Sequence, residues 1–167
     1  RRRICNRGSN SKFCAIIQSS KQTKETIMAY VSEEVITKAR TALKALNKEY
    51  GVKSTLSGKG GLCLNLTVAE GSIDFLNNYC ETIASKRIHR DVEQTIAWVK
   101  LEQGIQINHY YLDTQFSGKA LEYMEKAKAI MLVDHWDESD SQSDYFHCAY
   151  YMNMRVGSYK KGYILVK

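Results

Sequence analysis

A histidine beside a cysteine, His147-Cys148, is the pair of residue types that thiol nucleophiles use. Their spacing defeats that chemistry. Adjacent side chains of an extended segment leave by opposite faces, so the imidazole does not reach the thiol. Cys148 falls on the apolar side of its segment, where an inert buried thiol is expected. Five acids, Asp134, Asp137, Glu138, Asp140 and Asp144, crowd one short stretch and offer the oxygen ligands a divalent cation takes. They lack the turn glycine and terminal glutamate of a calcium loop, and a solvated acidic loop explains them. A metal-dependent hydrolase built on these acids is kept only as an outlier. "GKGG" at 58–61 suggests phosphate binding. A P-loop would need glycine where Lys53 stands, and a hydroxyl residue where Gly60 follows Lys59. A flexible hairpin turn explains the glycines. "SGKAL" puts Gly118 and Lys119 at a helix start, a position that favours anions, but capping by Ser117 accounts for it. The cysteines Cys5, Cys14, Cys63, Cys80 and Cys148 have no metal spacing and read as reduced thiols. No catalytic residue, metal or cofactor is expected, and the chain is not expected to be an enzyme.

The remaining chemistry-bearing set lies on alternate positions of two apolar segments. Gln106, Asn108 and Tyr110 form the polar side of one. Tyr145, His147, Tyr151 and Arg155 belong to the polar side of the other. If the two segments pair, these seven residues share a sheet face. Tyrosines with an arginine on an exposed sheet stack the bases of single-stranded nucleic acid, or meet a protein partner. The competing expectation is a covering helix, with residues 88–103 as the candidate, which would make the tyrosines amphipathic core residues.

Those residues must be held by elements, and the periodicity supplies them. Ser32 caps a helix over 33–50, with Val35, Ile36, Ala39, Leu43, Leu46 and Tyr50 on one face and Gly51 as its stop. Val52, Ser54 and Leu56 alternate in a short strand. Leu62, Leu64, Leu66 and Val68 alternate in a longer one. Ser72 is expected to cap a second helix, which ends near Lys86 and Arg87. Residues 88–103 suit a helix at Val92, Ile96 and Val99, but Trp98 to Leu101 also suit a strand. "GIQINHYYLD" reads as a strand, and Ser117 starts a further helix through Met131. "YFHCAYYMNMRV", 145–156, reads as the last long strand, with "GYILV" as an added edge. Hairpins and uneven spacing argue against a doubly wound parallel sheet. The expected fold is α+β: a single domain, an antiparallel sheet with helices packed mainly on one face.

The chain has 167 residues, no proline and a formal charge of +6. The charge is unevenly placed. Residues 1–27 hold seven Lys and Arg against one acid, and the rest holds seventeen of each. The basic excess that would suggest nucleic acid therefore belongs to the first 27 residues. They read as a disordered basic leader, and "KETIMAY" at 24–30 offers a reason. Lys24-Glu25 permits a ribosome-binding AAGGAG, and Thr26 and Ile27 supply the spacer before Met28. Translated upstream sequence over 1–27 and a single domain over 28–167 is the expected organisation. No apolar run reaches a membrane span, and "FCAII" is too short for a secretory signal.

The phrases "KEYGVKSTLS", "EGSIDFLNNY", "QINHYYLDTQFSGKALEYM" and "DESDSQSDYFHCAYYMNMRVGSYKKGY" resemble a family of small uncharacterised proteins encoded by bacteriophages and plasmids. Its members begin near Met-Ala-Tyr and carry a "GSIDF" phrase, a "SGKAL" phrase and a "DYF" phrase. His147 stands where that last phrase has an aspartate. The resemblance implies a setting, mobile elements in the bacterial cytoplasm, and no established activity. The expected function is that of an accessory protein that binds a host or phage protein, through the tyrosine-bearing face or an exposed strand edge. The alternative is a module for single-stranded nucleic acid, using the same tyrosines with Arg155, Lys160 and Lys161.

Overall fold

A computed structural model describes residues 29–58, 61–86, 91–140, 142, 147–158 and 160–166. The leader 1–27, Met28 and Tyr145 lie outside the described residues.

Ser32 accepts the Val35 N–H on its Oγ at 3.3 Å and opens α1, Glu33–Tyr50. Gly51 closes it in the left-handed region at φ 62°, donating its N–H to the Asn47 carbonyl. β1, Val52–Ser57, and β2, Cys63–Gly71, follow as an antiparallel hairpin. α2, Phe75–Lys86, is capped by Asp74, whose Oδ1 accepts the Asn77 N–H. The expected cap, Ser72, instead donates to the Tyr50 carbonyl. α3, Val92–Glu102, settles 88–103 in favour of helix over 92–102. β3, Ile105–Ile107, is cut short, and two helices follow it: α4, Leu112–Gln115, and α5, Gly118–Met131. β4, Tyr151–Val156, and β5, Ile164–Leu165, complete the chain.

The protein is α+β, with the sheet order β1-β2-β4-β3 and β5 beside β2. The expectation of a purely antiparallel sheet is corrected: β2 runs parallel to β4 and to β5. The reason is connectivity. Between β2 and β4 the chain travels through α2, α3, β3, α4 and α5, and a long crossover of this kind is what parallel neighbours require. The β1–β2 and β3–β4 pairs are antiparallel, as expected.

Strand alternation sorts the sheet into two faces. Leu56, Leu66, Met154 and Ile107 form one row across the inner face. Ser54, Val68, Val156 and Ile105 form the next. Ala69 is the extra residue where the β1–β2 register shifts, so Gly71 returns to the inner side against Val52. The inner face meets the helices in one contiguous core with Ile36, Leu43, Phe75, Ile83, Phe116, Tyr123, Met124 and Met131. Each such side chain contributes roughly 1.5–3 kcal/mol by leaving water, which outweighs any single polar contact in fixing the two faces. Among the described residues no helix is long and apolar enough to cross a membrane.

Candidate functional site

The helices lie on the inner face, and α3 packs on α2 rather than across the outer side of the sheet. The expected covering layer over the polar strand sides is therefore absent among the described residues. What remains is an outer face built by the second half of each alternation. Thr55, Thr67, Arg155 and Gln106 form one row across all four main strands. Ser57, Asn65 and Asn153 form the next, and Cys63 and Tyr151 the last.

The rows are tied laterally. Asn153 donates from Nδ2 to Asn65 Oδ1 at 3.0 Å, and Asn65 donates to the Cys63 carbonyl at 3.3 Å. Arg155 is half-buried, and its Nε donates to the Gly157 carbonyl at 2.8 Å. At the β1–β2 corner Lys53 pairs with Glu70, which holds that carboxyl below its ordinary value. Tyr151 is 45 % exposed and is the large ring on this face among the described residues. The arrangement presents amides, hydroxyls, one guanidinium and one phenol ring on a rigid backbone. It can donate and accept hydrogen bonds and supply one aromatic anchor.

Of the seven residues the sequence singled out, Gln106, Tyr151 and Arg155 share this face, and the register places Gln106 directly opposite Arg155. Asn108 and Tyr110 do not. β3 stops at Ile107 because the buried Gln115 takes over the next residue. Its Oε1 accepts the Asn108 N–H at 3.0 Å, and its Nε2 donates to the carbonyls of Asn108 at 2.7 Å and Tyr111 at 2.8 Å. Asn108 then turns its own Oδ1 to the Tyr110 N–H, and Tyr110 stacks on His109, with ring centroids 4.1 Å apart. His147 also departs. Residues 147–149 pair with the 136–138 loop, through Glu138 N–H to the His147 carbonyl and Ala149 N–H to the Trp136 carbonyl. Of the expected strand over 145–156, the described part, from His147 on, is a strand over 151–156. His147 rests on the Trp136 ring at 4.6 Å, with Nδ1 3.5 Å from Glu138.

The residues missed were Thr55, Ser57, Asn65, Thr67 and Asn153. Their signal was present, since they are the polar alternates of "KSTLS", "CLNLTV" and "YMNMRV". The cysteines Cys63, Cys80 and Cys148 are free thiols, and burial pushes Cys80 and Cys148 up. Asp134 pairs with Lys38 of α1, while Asp137 and Asp140 are engaged locally, accepting the Ser139 and Gln142 N–H groups. Among the described residues no group of three or more His, Cys, Asp or Glu is placed to hold a metal ion.

The fold and site define an α+β protein with a mixed sheet, clad by helices on one face and, among the described residues, without a helix on the other. Comparison with protein-family models, with curated proteins and with solved structures gives no match.

Proposed function

We propose that this chain is a small accessory protein of a phage or plasmid that works in the bacterial cytoplasm by binding a protein partner, without chemistry of its own. The binding surface is the bare sheet face around Tyr151, with Gln106, Arg155, Asn65, Thr67 and Asn153. The setting rests on the resemblance carried by the "GSIDF", "SGKAL" and "DYF" phrases. One observation carries the reading of the face: a polar outer side spanning four strands, beside which no described helix packs. A solvated second face is common in such sheets; what marks this one is an exposed tyrosine, Tyr151, set among laterally hydrogen-bonded amides on which another molecule can dock. A binding role without catalysis agrees with a thiol raised by burial at Cys148 and an imidazole engaged with Trp136 at His147.

Protein is favoured over nucleic acid by charge and by ring count. Phosphate binding needs a surplus of cations. The face offers Arg155, and Lys53 is neutralised by Glu70. Single-strand modules stack several bases on several rings. Here the described face has Tyr151.

A photo-crosslinking residue in place of Tyr151 tests both readings, with one in place of the exposed Ala84 on α2 as control. In a lysate of the bacterial host the residue at 151 is expected to give protease-sensitive, nuclease-resistant adducts that persist as salt rises. Adducts removed by nuclease and by salt would replace this reading with the nucleic-acid one. In that case Tyr151→Ala with Arg155→Ala should abolish binding of single strands. Equal labelling from 84 and 151 would overturn the face as the site.

A further inference from the structure

β1 is the end of the sheet, so one of its long sides has no strand beside it among the described residues. α1 packs on the inner face above β1, with one flank turned toward that open side. Its contacts with the strand, Arg40 to Leu56 and Asn47 to Ser54, show the two elements lying antiparallel. Between them is a groove lined by Arg40, Leu43, Lys44, Asn47, Thr55 and Leu56.

Two features of the groove point to one kind of occupant. The first is the state of the strand edge. Arg40 donates to the Leu56 carbonyl from Nε at 3.2 Å and Nη2 at 2.9 Å. In an antiparallel pair the N–H and C=O of one residue face the same side. The Leu56 N–H therefore faces the groove as well, and the guanidinium stands where the N–H of another strand would stand. The second is charge. Arg40, Lys44 and Lys48 follow at four-residue intervals along one flank of α1; Arg40 and Lys44 line the groove, and Lys48 stands one turn beyond its end. The acids of α1 are elsewhere: Glu33 and Glu34 in the first turn, and Glu49 against Lys126. Along the helix the cations repeat about every 6 Å. Alternate side chains of a strand repeat about every 6.7 Å. A strand with an acid at every second position matches that spacing.

We propose that the α1/β1 groove takes an extended acidic segment of a partner protein, which adds to the sheet beside β1. Its carboxylates meet Arg40, Lys44 and Lys48, and its backbone takes the Leu56 carbonyl from Arg40. This is recognition by strand addition, in which the ladder gives affinity and the flanking charges give specificity. The site is the edge of the sheet, separate from the Tyr151 face, and shares with the proposed function only the class of partner.

The test uses the full chain, nitrogen-15 labelled, and two capped heptapeptides, one alternating valine with glutamate and one alternating valine with lysine. The glutamate peptide is expected to shift the Leu56 and Lys44 amide resonances saturably and to slow amide exchange at Leu56 at least tenfold. The lysine peptide should do neither. In a Lys44→Glu, Lys48→Glu variant, both positions being exposed, the preference should reverse. The basic residues of 1–27 attract the acidic peptide by charge alone, but they are the same in both proteins and leave Leu56 exchange unaltered. Unchanged exchange at Leu56 at millimolar glutamate peptide would overturn the proposal, leaving Arg40 as a guard against edge pairing. Equal protection by both peptides, or an unreversed preference in the variant, would overturn it too. Crosslinking from position 151 is read separately, so failure at the edge and failure at the face are distinct results.

Discussion

Gln115 shows how far one side chain sets the shape of the site. It supplies three hydrogen bonds to the backbone of residues 108 and 111, and it does so while buried. Replacing it by leucine keeps the volume and removes all three partners. Each orphaned backbone group costs about 1–3 kcal/mol, softened where water reaches it. Gln115→Leu should therefore lower unfolding stability by roughly 2–4 kcal/mol in urea titration, and the Asn108 amide should lose protection from exchange. A loss under 1 kcal/mol would mean the clasp is incidental. The same residue explains why the candidate site was only half legible. Alternation located Gln106, Tyr151 and Arg155, because period two holds wherever the ladder holds. Alternation has no term for a glutamine seven residues downstream that ends the ladder, so Asn108 and Tyr110 were assigned to a face they leave.

His109, next in the chain, is held below its ordinary value of 6.5 by burial, with Lys128 and His135 adding to the effect. The folded protein resists protonation there more than the unfolded chain does. The stability this lends is complete above the unfolded value and is lost as pH falls through the lower folded value. Urea midpoints should therefore drop between pH 7.5 and pH 5, and His109→Gln should flatten that dependence. An identical slope in the variant would place the acid sensitivity elsewhere.

At the scale of elements, the junction where β4 ends is tightly constrained. Gly157 sits at φ 71°, and a Cβ there would lie 2.6 Å from the Gln103 carbonyl, 3.0 Å from the Tyr163 nitrogen and 3.1 Å from the Gly104 Cα. Three backbones meet in that space, and none can yield alone. Gly157→Ala should cost more than the ~1 kcal/mol of a strained turn by itself, and it should broaden the resonances of β3 and β5 together. Elements with their own periodicity were readable: α1 from its cap to its stop, the β1–β2 hairpin, and α5. Those defined by a distant partner were not. Residues 147–150 carry the same alternation as 151–156, yet the 136–138 loop claims them, and no local pattern records that competition. The parallel pairing of β2 with β4 was illegible for the same reason, since strand direction is set by what lies between the strands.

For the whole molecule, the placement of the aromatic rings has an optical consequence. Trp98 is 51 % exposed on α3, and Trp136 is 38 % exposed in the loop. Among the described residues the fully buried rings are Tyr123, Tyr150, Phe75 and Phe116. Tryptophan emission should be quenched by acrylamide in the native state nearly as well as in urea, whereas near-ultraviolet circular dichroism of the tyrosines should collapse on unfolding. A blue-shifted, protected tryptophan signal would mean that α3 or the loop is covered in solution. Leu101, 80 % exposed beside Trp98, offers the companion test. Leu101→Ser should leave monomer stability within about 0.5 kcal/mol, and a larger loss would point to self-association through α3.

The parallel seam at the middle of the sheet also fixes an order of events on the ribosome. β2 emerges early and joins β1 at once, but its other neighbour, β4, begins about eighty residues later. At typical translation speeds of about 5–20 residues per second, several seconds pass before it arrives. Through that interval a nine-residue strand that will be central in the finished sheet has one side unsatisfied. Such a nascent chain is a natural client for a holding chaperone, and the step that releases it is the docking of its last long strand.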